Sequence, residues 1–156
     1  MIKQRHWKQI KHFKPKENFG DLNLFNFDVL YLLDQQTEFA KNILYPNRKI
    51  YCIIHSGAGG VHSKNSQHYL GLAVDVHYTN MSLYEQVILS LMFPWNATAF
   101  YPTWNNQGLH LDLRKQKWYE RRVMWYTYSI IENRKTIIKY ENDKSKVISK
   151  IAILTT

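Results

Sequence analysis

Ser66-Gln67-His68-Tyr69-Leu70-Gly71-Leu72-Ala73-Val74-Asp75-Val76-His77-Tyr78 is the stretch on which the fold turns, and Gly108-Leu109-His110-Leu111-Asp112-Leu113 is its counterpart. In the first, Val74, Val76 and Tyr78 alternate with Asp75 and His77. Apolar residues at period two predict a strand with one apolar face and Asp75 on the other. Gly71 permits a tight bend just before it, which brings His68 toward the face of Asp75. In the second stretch Leu109, Leu111 and Leu113 alternate with His110 and Asp112, so the two polar side chains share a face. Two such strands side by side bring His68, Asp75 and His110 together.

Unpaired carboxylates in apolar strands are costly, and a bound cation removes that cost. Two neutral imidazoles and one carboxylate are a donor set for catalytic zinc, bound at about 2.0–2.2 Å with a fourth position open to water. His68, Asp75 and His110 are therefore the candidate metal ligands, with zinc the expected ion. Imidazole disfavours magnesium, whereas cobalt or nickel could substitute. Asp112 is expected about 7 Å along the strand from His110, at a rise of ~3.4 Å per residue. Two roles stay open for it: catalytic general base, or a group that orients an imidazole. His62 and His77 are secondary candidates for moving a proton, and His6, His12 and His55 read as hydrogen-bonded structural residues.

The pattern Ser66-x-His68-x-x-Gly71-x-Ala73-x-Asp75, then Ala99-Phe100-Tyr101-Pro102 and His110-Leu111-Asp112-Leu113-Arg114, resembles the zinc D-alanyl-D-alanine carboxypeptidase and L-alanyl-D-glutamate endopeptidase family. Within it the phage endolysin-like branch is the nearer fit. Upstream, His12-Phe13-Lys14-Pro15-Lys16-Glu17-Asn18-Phe19 is similar to the family's aromatic-Lys-Pro-x-Glu-Phe opening, and Ile54-His55-Ser56-Gly57 to its strand ending in Ser-Gly. The resemblance spans roughly residues 7 to 119. It implies an α+β domain of the D-Ala-D-Ala carboxypeptidase/hedgehog-like kind, a small antiparallel sheet with flanking helices and zinc on the open sheet face. It also implies hydrolysis of a peptide bond in peptidoglycan stem peptides, with Ser66, Tyr101 and Arg114 toward the substrate.

Two departures bear on that activity. Many members carry an acid three residues before the last ligand, where this chain has Gln107. Members usually read Ser-Gly-Tyr-Arg where this chain has Ser56-Gly57-Ala58-Gly59-Gly60, so either another cation, Lys64 or Arg114, takes the arginine's part, or substrate handling differs, or activity is reduced. The alternative reading is a non-catalytic module that keeps the zinc fold and binds cell-wall polymer or nucleic acid.

A chain of 156 residues suits one compact unit, which at this size buries roughly 68–70% of its unfolded surface. The 45% hydrophobic content, with 5 Trp, 11 Tyr and 7 Phe, is ample for a core. No run of 18 apolar residues exists, so no membrane span is expected. The start, Met1-Ile2-Lys3-Gln4-Arg5-His6, lacks the apolar stretch of a signal peptide. The expectation is synthesis in the cytoplasm and action on the cell wall after release by a lysis partner or virion delivery. A monomer is expected, and Cys52, the single cysteine, reads as a core residue.

Helices are predicted over residues 26 to 44 and 83 to 92, the latter capped by Ser82, and strands over 50 to 55, 97 to 101 and 109 to 113. Residues 57 to 67 read as a loop over the site. From Arg114 onward 11 basic residues face 4 acidic ones, a net of +7, against +2 for residues 1 to 113. The division expected is a zinc peptidase domain at 1–119, which includes Trp118, and a basic, β-rich extension at 120–156, packed on the domain or trailing. That extension reads as strands over 123 to 131, 136 to 140 and 147 to 154, with turns at 132 to 135 and 141 to 144. Its charge suits an anionic polymer, wall teichoic acid or nucleic acid, with Trp125, Tyr126 and Tyr128 available for stacking.

Overall fold

A computed structural model describes residues 2–117, 120–132 and 135–154. A short α1 (Gln4–Trp7) leads to α2 (Phe27–Phe39), which runs on through a π-helical turn, Ala40–Leu44. Asn26 starts α2 by accepting the Asp28 N–H at 2.6 Å, and Val29, Leu30, Leu33 and Thr37 form its buried stripe. Strand β1 (Cys52–Ser56) and a 3-10 turn, Gln67–Leu70, precede β2 (Ala73–Tyr78). Helix α3 (Leu83–Leu91) follows with a capping box, Ser82 accepting from the Glu85 N–H and Glu85 from the Ser82 N–H. Then come β3 (Ala97–Tyr101), β4 (Gly108–Asp112), β5 (Val123–Glu132), β6 (Lys135–Glu141) and α4 (Lys144–Ile153).

The fold is α+β, with one six-stranded sheet in the order β1-β2-β4-β3-β5-β6. The small antiparallel sheet expected from the sequence is corrected here to a mixed one, because β5 lies parallel to β3. Antiparallel β4 returns the chain to the end of the sheet where β3 begins, so β5, lying on the far side of β3, runs parallel to it. Strands from both sides of residue 119 thus share one sheet.

A second correction concerns residues 147 to 154, read as a strand. They belong to α4, where Asp143 caps the first turn by accepting the Lys146 N–H at 3.1 Å. Val147, Ile151 and Leu154 turn onto the core at the i, i+4, i+7 spacing of a helix face. Trp118 and residues 133 and 134 of the expected 132 to 135 turn lie outside the described residues.

One sheet face carries Val74, Val76, Tyr78, Phe100, Leu109 and Leu111, all buried, and it packs under the helices. The polar groups there are paired: Gln36 accepts the Trp95 indole N–H at 2.6 Å and donates to the Tyr78 hydroxyl at 3.0 Å. Burial pushes the Cys52 thiol up to about 12, which keeps it a neutral core residue. No helix of the described residues is long and apolar enough to cross a membrane.

Candidate metal centre

The other sheet face holds the polar residues, and strand register sets their order. Asp75 pairs with His110, His110 with Ala99, and Ala99 with Trp125, so these four residues form a row across β2, β4, β3 and β5. Alternation within each strand keeps all four on the same face. His68 reaches it from the 3-10 turn, where its own backbone N–H donates to Ser66 Oγ. Gly71 ends that turn at φ 66°, and a Cβ there would lie 2.1 Å from the Leu24 carbonyl oxygen, so only glycine fits.

Three ligand-type atoms meet over this row. His110 Nδ1 lies 2.8 Å from Asp75 Oδ1 and 3.1 Å from His68 Nε2, and His68 Nε2 lies 3.3 Å from Asp75 Oδ1. The far nitrogens are both engaged. His68 Nδ1 donates to the Gly57 carbonyl at 2.7 Å, and His110 Nε2 donates to Asp112 Oδ2 at 3.0 Å. Each imidazole therefore presents an unprotonated nitrogen to the common point in its neutral form.

His62 joins the group from the loop. Its ring stacks on that of His68 at 3.9 Å and 3°, and its Nε2 lies 3.2 Å from Ser56 Oγ. Ligand atoms of His62, His68 and Asp75 all fall within 4.8 Å of one another, and this cluster could hold a metal ion.

The electrostatics follow from burial and pairing. Burial alone would raise the Asp75 carboxyl, but the His110 and His68 imidazoles beside it, which in their protonated forms donate to it, overcome that and hold Asp75 well below the usual carboxylate range. Burial likewise disfavours a charged His110, yet Asp112 and Asp75 together lift it to about 9. Asp112 is fully buried and, despite that burial, is held down to about 2 by His110 and Arg114. Arg114 donates from Nε to Asp112 Oδ1 at 2.9 Å and from Nη2 to Oδ2 at 2.6 Å, a two-point grip. His62 lies below the ordinary imidazole value because of its burial and the neighbouring His68.

Of the residues expected to face substrate, Ser66, Tyr101 and Arg114 all line a cleft of about 730 Å³ whose floor holds His68, Asp75 and His110. Lys64 is exposed and does not line it, so of the two stand-ins for the missing arginine only Arg114 reaches the cleft. Gln107 turns away and donates to the Pro102 carbonyl at 3.1 Å, closing its own loop. His55 and His77 pair beside the site, His55 Nε2 lying 2.7 Å from His77 Nδ1, and neither joins the three ligand-type atoms. His12 pairs with Glu38 at 2.5 Å, as befits a structural histidine.

Trp125, Tyr140 and Asn142 also line the cleft. Sequence reading placed Trp125 on a polymer-binding extension and gave Tyr140 and Asn142 no role. The signal would have been the parallel pairing of β5 with β3, which no local pattern encodes.

No protein-family model matches this chain, and no curated protein matches its sequence.

Proposed function

We propose that this protein is a zinc-dependent peptidase of peptidoglycan stem peptides, with His68, Asp75 and His110 as the metal ligands. The observation that carries the reading is the convergence of His68 Nε2, Asp75 Oδ1 and His110 Nδ1, with contacts of 2.8 to 3.3 Å, while Gly57 and Asp112 take up the opposite nitrogens. Donors about 2.0–2.1 Å from a tetrahedral ion stand roughly 3.3 Å apart, so small adjustments fit these atoms to one zinc. His110 is preferred to His62 as the third ligand for a directional reason. Lone pairs lie in the ring plane, and the parallel rings of His62 and His68 send theirs side by side, whereas the His110 ring is tilted by 59° to His68.

When bound, zinc supplies Lewis-acid polarisation of a carbonyl and a lowered pKa for water. The chain's own groups account for the rest. Asp112 keeps the His110 tautomer and ring orientation fixed, and Arg114 keeps Asp112 ionised. Tyr101 keeps its proton, since burial raises its hydroxyl far above the usual value, and so offers a donor to the substrate. His62, neutral near pH 7, can accept a proton at Nε2 and return it to a leaving amine.

The non-catalytic alternative draws on one specific feature. Among the described residues that line the cleft, Asp75 is the only carboxylate, and Asp112 is committed behind His110. Turnover separates the two readings. Zinc-loaded protein incubated with purified sacculi, beside His110→Ala, is expected to release fragments with new stem-peptide ends, read by mass spectrometry. Folded, zinc-containing protein that cuts no wall type would sink the peptidase reading. Salt-sensitive binding to wall polymer or nucleic acid, without cleavage, would replace it.

A further inference from the structure

The cleft has two walls of unlike chemistry. On one side the loop before the 3-10 turn presents Ser63 and Asn65, and the turn's first residue presents Gln67, neutral hydroxyl and amide groups. On the other, the β5–β6 hairpin presents Trp125 and Tyr140. The aromatic wall is built into the sheet at the metal centre. Ala99 stands between His110 and Trp125 in the cross-strand row, and its small side chain lets the two rings approach to 5.2 Å. Arg114 covers part of the indole, its guanidinium carbon 5.3 Å from the ring centroid. Tyr140, one strand further out, is 68% exposed and open to a ligand. A cleft of about 730 Å³ has room for more than the two residues flanking a scissile bond.

Flat aromatic faces opposite neutral amides and hydroxyls are what a pyranose ring needs. Its C–H face is apolar and lies on an aromatic ring, while its rim of hydroxyl and acetamido groups exchanges hydrogen bonds with amides. We infer that the β5–β6 hairpin is a saccharide subsite of the catalytic cleft, with Trp125 and Tyr140 as the platform, and that the preferred substrate is a stem peptide still attached to its amino sugars. This deepens the peptidase reading and rests on it for the choice of substrate. It also gives the extension a role at the site itself, in place of a separate polymer anchor.

Two measurements test it on the zinc-loaded full chain. The first compares cleavage of a disaccharide-linked stem peptide with that of the same peptide lacking sugar. The linked substrate is expected to have a KM about tenfold lower at similar kcat, and Tyr140→Ala, at an exposed position, to erase most of that difference. Trp125→Phe should erase part of it, and retained zinc content would show that the site is intact. The second titrates the uncleavable amino-sugar disaccharide alone and follows indole N–H signals by NMR, with Trp125 assigned from Trp125→Phe. A shift of that signal, weakened in Tyr140→Ala, is expected.

Equal KM values for the two substrates would overturn the saccharide subsite and leave the peptidase reading standing. If neither substrate is cut, the peptidase reading fails and the disaccharide titration decides the subsite by itself. Binding then supports it, and an unshifted Trp125 signal overturns it.

Discussion

Asp112 accepts the Nε2–H of His110 at 3.0 Å from two positions along the same strand, and Arg114 grips both oxygens of that carboxylate. The chain of contacts runs from Arg114 through Asp112 to His110, and it leaves Nδ1 as the nitrogen facing Asp75 and His68. A carboxylate so placed can act through the imidazole, since its side chain lies behind His110 and does not line the cleft.

Asp112→Asn separates the two roles open to this residue. The amide keeps the shape but weakens the hold on Nε2–H and leaves Arg114 without its anionic partner. Zinc affinity, measured by competition with a chelator, is expected to fall about 10- to 100-fold, with cleavage largely restored at saturating zinc. Full metal occupancy with lost turnover would instead assign Asp112 the base role.

His62 and His110 compete for the place of third ligand, and their variants should behave differently. His110→Ala is expected to lower zinc affinity by at least about a hundredfold, since it removes a ligand. His62→Ala should keep one zinc per chain with affinity within about tenfold, while slowing cleavage by about 10²-fold if His62 moves the proton. The opposite pattern in metal competition would make His62 the ligand.

Gly71→Ala addresses the hinge that delivers His68. A side chain at φ 66° costs about 1–2 kcal/mol, and the new Cβ would collide with the Leu24 carbonyl at 2.1 Å. A loss of about 2 kcal/mol or more is expected, which for a domain of this size lowers Tm by roughly 4–8 °C. Thermal unfolding checks it, and an unchanged Tm would mean that the turn is not built as described.

These residues also mark how far the sequence could be read. Val74-Asp75-Val76 and Leu109-His110-Leu111 are legible because a strand set between an apolar layer and a polar site alternates at period two, and the buried carboxylates then demand a partner. The expectation that His68 joins Asp75 and His110 as a ligand leans mostly on the motif resemblance, since His68 lies outside both strands. His62 is legible only as a candidate for moving a proton and not as part of the cluster that could hold a metal ion, since it rides on a loop whose path is set by Gly59, Gly60 and tertiary contacts. The parallel pairing of β5 is not legible either, since it depends on the chain passing to the far side of β3 and not on local periodicity. Residues 147 to 154 misled through their β-branched content, although Val147, Ile151 and Leu154 held the helical spacing and Asp143 the cap.

The Glu38 cluster gives a pH dependence away from the site. Glu38 accepts from Lys11 Nζ at 2.9 Å and pairs with His12, and these bonds hold its carboxyl down to about 2. A carboxyl depressed on folding contributes stability that is fully present above its ordinary value near 4.5 and is lost as pH falls toward 2. Wild type should therefore exceed Glu38→Gln in Tm by a constant margin above about pH 5, and the margin should close between pH 4.5 and 2. A margin independent of pH across that window would show that the effect comes from packing.

Arg122 tests whether residues after 119 are structurally joined to those before. Its guanidinium donates to the Ser90 carbonyl at 3.0 Å and the Trp95 carbonyl at 2.9 Å, and also to the Phe93 carbonyl. These acceptors lie at and just beyond the end of α3, where helix carbonyls lack partners of their own. Arg122 thus fastens the start of β5 to the helical layer, and through β5 it steadies Trp125 beside His110. Arg122→Ala removes charge-assisted bonds and is expected to cost about 2–4 kcal/mol in denaturant unfolding. Arg122→Lys should recover only part of that, because a single ammonium cannot serve three carbonyls spread across a planar fork. Hydrogen exchange adds the decisive detail. If the hairpin is part of one cooperative sheet, Arg122→Ala speeds exchange in β3 and β4 as well as in β5 and β6. Faster exchange confined to β5 and β6 would mark an extension that opens by itself, as the division at residue 119 implied.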